Sequence, residues 1–138
     1  MGARLIRIAV IYVVVGIVLG MYMGITQQFT LVPVHAHVLL AGWASLALAG
    51  VIYHLYPAAG VTRLASIHFW LHNLGLPPLM IALALMLSGN AALEPVVGIF
   101  SLIVWLGVIL FVVNIWLAVR PAAAPGALRA GTAAAGVQ

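Results

Sequence analysis

Long apolar runs separated by short polar segments dominate this chain of 138 residues. Each run is as long as the roughly 20 residues that an α-helix needs to cross a bilayer. The segments between the runs contain Pro, Gly and Asn, which commonly end helices. The pattern therefore predicts an all-α membrane protein, with a bundle of four transmembrane helices over residues 1–120. The predicted spans cover about residues 6–25, 34–55, 66–87 and 95–119.

Composition supports this class and narrows the chemistry that the chain can perform. It is 67% hydrophobic and 4% charged, whereas about 25% of the residues in soluble domains are charged. Nothing in this composition suggests nucleic acid as a partner. The absence of Cys excludes disulfides, thiolate metal sites, iron–sulfur clusters and covalently attached haem. Residues 121–138 are mainly Ala, Gly and Pro, and we predict a disordered tail there.

The arginines predict how the bundle is oriented. Arg4 and Arg7 precede the first span or begin it, Arg63 separates the second from the third, and Arg120 and Arg129 follow the fourth. Four spans place all of these residues on one side, and the positive-inside rule makes that side cytoplasmic. We therefore expect both termini in the cytoplasm, in a multi-pass protein of a bacterial-type inner membrane.

Five histidines need an explanation, because an unpaired imidazole in hydrocarbon costs several kcal/mol. The expected orientation places His35 and His37 near the outer face, and His54, His68 and His72 nearer the cytoplasmic face. Residues two apart on a helix point about 200° apart. His35 and His37 would therefore suit two different metal centres on opposite flanks. The alternative is a pair of hydrated histidines at the membrane interface.

The inner three histidines allow several interpretations. His68 and His72 are four residues apart and share one helix face. With His54 they could form a tri-histidine copper or zinc site, since imidazole suits both metals, or they could belong to a second haem site. The simpler interpretation makes His54 and His68 hydrogen-bonding residues near the headgroups, or contacts for haem propionates. His72 lies one turn deeper and needs a partner within the bundle.

Part of the sequence shares its pattern with a known family. The residues concerned are His35-Ala36-His37, Gly42, Tyr53-His54-Leu55-Tyr56-Pro57, Ile67-His68-Phe69-Trp70-Leu71, Gly75 and Pro77. They resemble helices ten and eleven of subunit I in haem–copper oxidases and nitric oxide reductases, where a His-x-His pair binds two haems from one helix. The resemblance implies that the four spans correspond to helices nine to twelve.

The resemblance also implies a cofactor and an assembly. It implies haem b held by His35 and His37, with a role in electron transfer or in binding O2 or NO, and a redox partner. Copper is a second candidate cofactor, although the family's copper-site residues are not recognisable here, which leaves open whether the chain is an oxidoreductase. Subunit I is similar to three arcs of four helices, which implies a homotrimer in which neighbouring protomers share each haem.

Several other residues are weaker candidates for the same site. Trp43 and Trp70 could flank a porphyrin, and Arg63 could pair with a propionate or a lipid phosphate. Met21 and Met23 are alternative axial ligands.

Two further features concern helix packing. Asn114 is expected to form a hydrogen bond between helices. Gly16, Gly20 and Gly24 recur every four residues and predict a face for close helix contact.

A histidine-based copper carrier, an oxidase assembly factor and a bundle without a cofactor remain the alternative functions.

Overall fold

Four long helices make up the computed structural model, which describes residues 1–119. The predicted tail, residues 121–138, lies outside the described residues. No strand occurs in residues 1–119, and all four helices are long and apolar enough to cross a membrane. The all-helical, four-span prediction is therefore confirmed, and it supports a multi-pass membrane protein. The helices are α1 (Gly2–Thr26), α2 (Val32–Leu55), α3 (Arg63–Leu87) and α4 (Glu94–Ala118).

The ends of the helices follow from local sequence. Helix α1 ends at Thr26, and the next residue, Gln27, adopts a left-handed conformation with φ 53°. Pro33 lies in the first turn of α2, where its missing N–H has no intrahelical role. Thr62 begins α3 by accepting a hydrogen bond from the Ala65 N–H at 3.0 Å. After α3, Gly89 adopts φ 113°, a conformation that residues with side chains rarely adopt.

Helix α2 is not uniform along its length. Its first segment, Val32–His37, and its last, Ser45–Leu55, are α-helical, but Val38–Ala44 between them is a π-helix. The Ser45 N–H bonds to the carbonyl of Leu40, five residues back instead of four. The π-helical segment therefore changes the rotation of the first turns of α2, which carry two histidines, relative to the rest of the helix.

Close approach at glycines sets the packing of the helices. A Cβ atom on Gly16 of α1 would overlap Leu39 of α2, and one on Gly42 would lie 2.5 Å from the ring of Tyr12. A Cβ on Gly107 of α4 would lie 3.3 Å from the backbone nitrogen of His72 in α3. Helix α1 thus packs along α2, and α3 along α4, with few side-chain atoms between the backbones. Helices α2 and α3 are the more buried pair.

Candidate functional site

His37 lies in the first segment of α2 with an exposed side chain. Its Nδ1 is 2.7 Å from the carbonyl oxygen of Pro33, one turn earlier. A carbonyl oxygen only accepts hydrogen bonds, so Nδ1 donates and carries the proton of the neutral ring. Nε2 is then left with a lone pair that can bind a metal.

His35 has the same arrangement but reaches a different helix. Its Nδ1 donates to the carbonyl oxygen of Gly16 in α1 at 3.0 Å, and the ring is partly buried. A Cβ atom on Gly20 would lie 3.0 Å from Cε1 of this ring, so glycine at that position makes room for the imidazole. Nε2 of His35 again keeps its lone pair.

The two imidazoles therefore share the neutral tautomer with the proton on Nδ1, but they lie in different surroundings. In metalloproteins a ligating histidine almost always donates its other ring N–H to a carbonyl, a carboxylate or a water, which fixes the ring and raises its basicity. His35 and His37 both have this arrangement. The His35 ring packs on α1, whereas the His37 side chain is exposed. We call these two residues the histidine pair; their rings share one tautomer and lie in different surroundings.

The other three histidines are not brought together. His68 and His72 are buried, with ring centroids 5.6 Å apart, but His54 is exposed. No group of three or more His, Cys, Asp or Glu side chains in residues 1–119 is placed to hold a metal ion. The three side chains of the tri-histidine alternative are therefore not placed to hold one metal ion within residues 1–119. Tyr53 faces the bundle, and the next residue, His54, is rotated about 100° away from it.

His68 was expected to be a hydrogen-bonding residue, and the structure places it inside the bundle. It is 2% exposed, and its Nδ1 lies 3.3 Å from the hydroxyl of Tyr53. Its ring also packs against that of Phe111, with centroids 5.1 Å apart. His68 is therefore a hydrogen-bonding residue buried within the bundle.

Asn114 connects α4 to the turn between α2 and α3. Its Nδ2 donates to the Ala59 carbonyl at 2.9 Å and to the Tyr53 hydroxyl at 3.4 Å, and its Oδ1 accepts from the Thr62 hydroxyl at 2.7 Å. The predicted bond between helices is confirmed. We call Tyr53, Thr62, His68 and Asn114 the polar network. It satisfies polar groups that would otherwise be unpaired in an apolar environment.

His72 joins α3 to the π-helical segment of α2. The side chain is 1% exposed, and its Nε2 donates to the carbonyl oxygen of Ala41 at 3.0 Å. The proton of the neutral ring therefore lies on Nε2, and Nδ1 is an acceptor. No hydrogen-bond partner for Nδ1 is found among residues 1–119. A buried acceptor without a partner is rare in folded proteins.

A pocket of about 270 Å³ lies beside these two buried histidines. His68 and His72 line it together with Ser45 of α2 and Phe111 of α4, and the rest of its lining is aliphatic. We call it the imidazole pocket. Its lining includes Leu48 and Val112, which are 63% and 50% exposed on the face that a bilayer would cover.

The weaker candidates lie mostly on the surface. Trp43 and Trp70 are 43% and 56% exposed, Arg63 is exposed at the start of α3, and Met21 is exposed, whereas Met23 is buried.

The glycine face predicted on α1 is used within the chain. Gly16 and Gly20 pack against Leu39 and His35 of α2, and a Cβ on Gly24 would meet nothing within 4 Å.

Two parts of the site were not expected from the sequence. Tyr53 and Thr62 hold the polar network, and the π-helical segment presents the Ala41 carbonyl to His72. Thr62 directly before a helix was a recognisable N-cap signal. The pattern of hydrophobic and polar residues, however, does not indicate a π-helix. The fold and the site thus define a helical membrane protein in which His35 and His37 each bond through Nδ1 to a backbone carbonyl. No protein-family model, curated protein or solved structure matches the chain.

Proposed function

We propose that this protein binds haem b through His35 and His37 in a membrane of the bacterial inner-membrane type. The observation that carries the proposal is the state of the two rings: each donates Nδ1–H to a backbone carbonyl and leaves Nε2 free. That is the arrangement of histidines that bind metals. The resemblance of this segment to haem–copper oxidase subunit I adds support of a different kind, because it rests on sequence alone.

A shared site between protomers suits this geometry. His35 packs on α1 and His37 is exposed, so the pair does not present both Nε2 atoms to one iron. In a closed ring of identical chains, His37 of one protomer meets His35 of its neighbour across each interface. The resemblance favours a homotrimer, with haem at the three interfaces and both termini of every chain in the cytoplasm.

Haem held by both His35 and His37 would supply one-electron transfer, whereas haem held by one histidine alone would allow O2 or NO to bind. The chain contributes ring orientation through the carbonyls of Gly16 and Pro33, and space through Gly20. The apolar surroundings limit access of water and affect the redox potential. We propose electron transfer with a redox partner as the principal role. For copper, no group of three or more His, Cys, Asp or Glu side chains in residues 1–119 is placed to hold the ion.

Purified full-length protein in lipid nanodiscs tests the proposal. We expect a red protein with a sharp Soret band, and paired α and β bands on reduction, as two axial nitrogens produce. The double variant His35→Ala/His37→Ala should lose the pigment while keeping its helical circular dichroism.

His54→Ala is the matched control, because His54 is also exposed and also lies in α2. It should retain the full spectrum. A colourless wild-type protein, or an unchanged pigment in the double variant, would overturn the proposal. A carbon monoxide shift of the reduced wild-type protein would replace electron transfer by gas binding.

A further inference from the structure

We infer that His72 is a positioning residue for the histidine pair. Its bond to the Ala41 carbonyl holds the π-helical segment, and this segment sets the direction in which His35 points. The structural half of the inference, which concerns the rotation of α2, does not depend on haem. The functional half, that haem binding needs this rotation, rests on the proposed function.

The π-helical segment leaves the Ala41 carbonyl without its usual donor. In an α-helix this carbonyl would accept from the N–H of Ser45, four residues later. Here the Ser45 N–H bonds to the carbonyl of Leu40, to which the Ser45 hydroxyl also donates at 2.8 Å. The Nε2–H of His72 donates to the Ala41 carbonyl at 3.0 Å. A side chain of α3 thus supplies the donor that the Ala41 carbonyl loses when Ser45 bonds one residue further back.

His72 can make this bond because α4 fixes its position. A Cβ atom on Gly107 of α4 would lie 3.3 Å from the backbone nitrogen of His72, whose side chain is 1% exposed. The Nδ1 atom has no partner in residues 1–119, so the bond to the Ala41 carbonyl is the hydrogen bond that the ring makes among them. If that carbonyl turned back to Ser45, the Nε2–H would be buried without a partner, which disfavours the α-helical form of the segment.

Relaxation of the π-helical segment would rotate the first turns of α2. A π-helical segment takes up one residue more than an α-helix over the same rotation, so its loss would turn the residues before it by about 100°. Each of them would then take the direction that the preceding residue has now. Val34, which is 5% exposed, would take the exposed direction of Pro33. His35 would take the buried direction of Val34.

That rotation would remove His35 from its present contacts. Its ring now donates Nδ1–H to the Gly16 carbonyl at 3.0 Å and lies in the space left by Gly20. In the direction of Val34 it would lie instead in the apolar cluster that contains Leu76 of α3, away from the carbonyl that orients it. The bond that His72 makes to α2 therefore positions the His35 imidazole through the backbone of α2.

Thiol labelling of haem-free, full-length protein in nanodiscs tests the rotation. The chain has no Cys, so Val34→Cys introduces a single thiol at a position that is 5% exposed. Adding His72→Leu removes the donor, and should raise the rate of maleimide labelling about tenfold, the change in population that one lost hydrogen bond gives. Ala82→Cys reports on general loosening, because Ala82 is 5% exposed in α3. Its labelling should stay slow.

Three further variants separate the hydrogen bond from other effects of the substitution. His68→Leu is the matched control, because His68 is buried one turn away in α3 and bonds to Tyr53. Labelling at Val34 should stay slow in it. His72→Gln supplies an amide donor and should also keep labelling slow. Deletion of Leu40 in the His72→Leu chain removes the one residue in excess, so an α-helical α2 should bury Val34 again.

Haem content tests the functional half. If haem b binds as proposed, His72→Leu should weaken its binding at least about tenfold, as loss of a group that orients a metal ligand commonly does. The pigment that remains should gain a carbon monoxide shift, because one axial position is then open. His72→Gln and the variant that also lacks Leu40 should keep the wild-type spectrum.

Slow labelling at Val34 in the His72→Leu chain would overturn the inference, and so would equal acceleration by His68→Leu. A His72→Leu chain that does not fold, and that deletion of Leu40 does not recover, would overturn it as well, because the bond would then support the whole bundle and not the rotation of one segment. The expected labelling with unchanged haem binding would overturn the functional half. The expected labelling in a wild-type protein that never binds haem would overturn the haem proposal and leave the structural half standing.

Discussion

Asn114 joins the last helix to the turn between α2 and α3 through side-chain hydrogen bonds. It is 1% exposed and has hydrogen-bond partners on both its nitrogen and its oxygen. Asn is costly in hydrocarbon unless its groups are paired. The sequence suggested a bond between helices because a lone amide stood in the most apolar span. Its partners could not be named, since they depend on how the turn after Leu55 folds back.

Asn114→Leu should destabilise the protein by about 1–2 kcal/mol, because it removes these bonds and leaves the Ala59 carbonyl with the Thr62 hydroxyl as its remaining side-chain donor. The measurement is the free energy of unfolding in lipid or mild detergent, followed by circular dichroism. Val113→Leu is the control, since Val113 is exposed on the same helix, and should change stability by less than about 0.5 kcal/mol. An equal loss in both variants would show that the polar network contributes little.

At the scale of elements, the helices were largely predictable and their internal geometry was not. Apolar length alone located four spans, with starts within about four residues of those observed. Hydropathy averages over a turn, so it cannot detect the π-helix at Val38–Ala44, where each bond spans one residue more. The rotation of His35 and His37 relative to the rest of α2 therefore came only from the structure. The same is true of the Ala41 carbonyl that His72 contacts.

The contact between α3 and α4 depends on Gly107. A Cβ atom there would meet the backbone nitrogen of His72 and Cβ of Leu71, each at 3.3 Å. Gly107→Leu should therefore separate the two helices and lower the free energy of unfolding by about 1–3 kcal/mol, the usual cost of overpacking.

Gly98→Leu is the matched control on the same helix, because a Cβ on Gly98 would meet nothing within 4 Å. Leucine also favours helix more than glycine does, by roughly 0.5–1 kcal/mol, so this variant should be as stable as the wild-type protein or slightly more stable. Thermal unfolding of both variants in the same detergent gives the comparison. If Gly107→Leu were as stable as Gly98→Leu, close approach at Gly107 would not determine the packing.

For the whole molecule, the sequence predicted an all-helical membrane protein, but it gave only some of the residues that form the candidate functional site. The histidine pair was recognised as two residues with opposed directions, and the structure adds the carbonyls of Gly16 and Pro33 that orient them. A tri-histidine site was one alternative that helix spacing allowed, and spacing does not show that the end of α2 turns His54 outward. Contacts between chains are not determined by one chain's hydropathy, so the proposed assembly needs its own test.

Co-expression of His35→Ala and His37→Ala chains tests whether haem is shared. In a cyclic oligomer, an intact interface needs His37 from one chain and His35 from its neighbour. Random mixing should therefore restore about one quarter of the wild-type haem, since each ligand is present in half of the chains. Haem per chain is measured by absorbance, and native mass spectrometry should show trimers. No recovery in mixed oligomers would mean that neighbouring chains do not supply one ligand each.

The position of Asn114 near the end of the described chain has a consequence for biogenesis. When the nascent protein has inserted its first three helices, the Ala59 carbonyl, the Tyr53 hydroxyl and the Thr62 hydroxyl still lack the amide that pairs with them. The Thr62 hydroxyl can still donate to the Ala59 carbonyl, and the Tyr53 hydroxyl can still pair with His68, but each of the three groups has one partner fewer, at a cost in free energy. A chain that terminates before α4 is complete therefore leaves these polar groups less fully paired and without the cover of α4, a state that membrane quality-control proteases can detect.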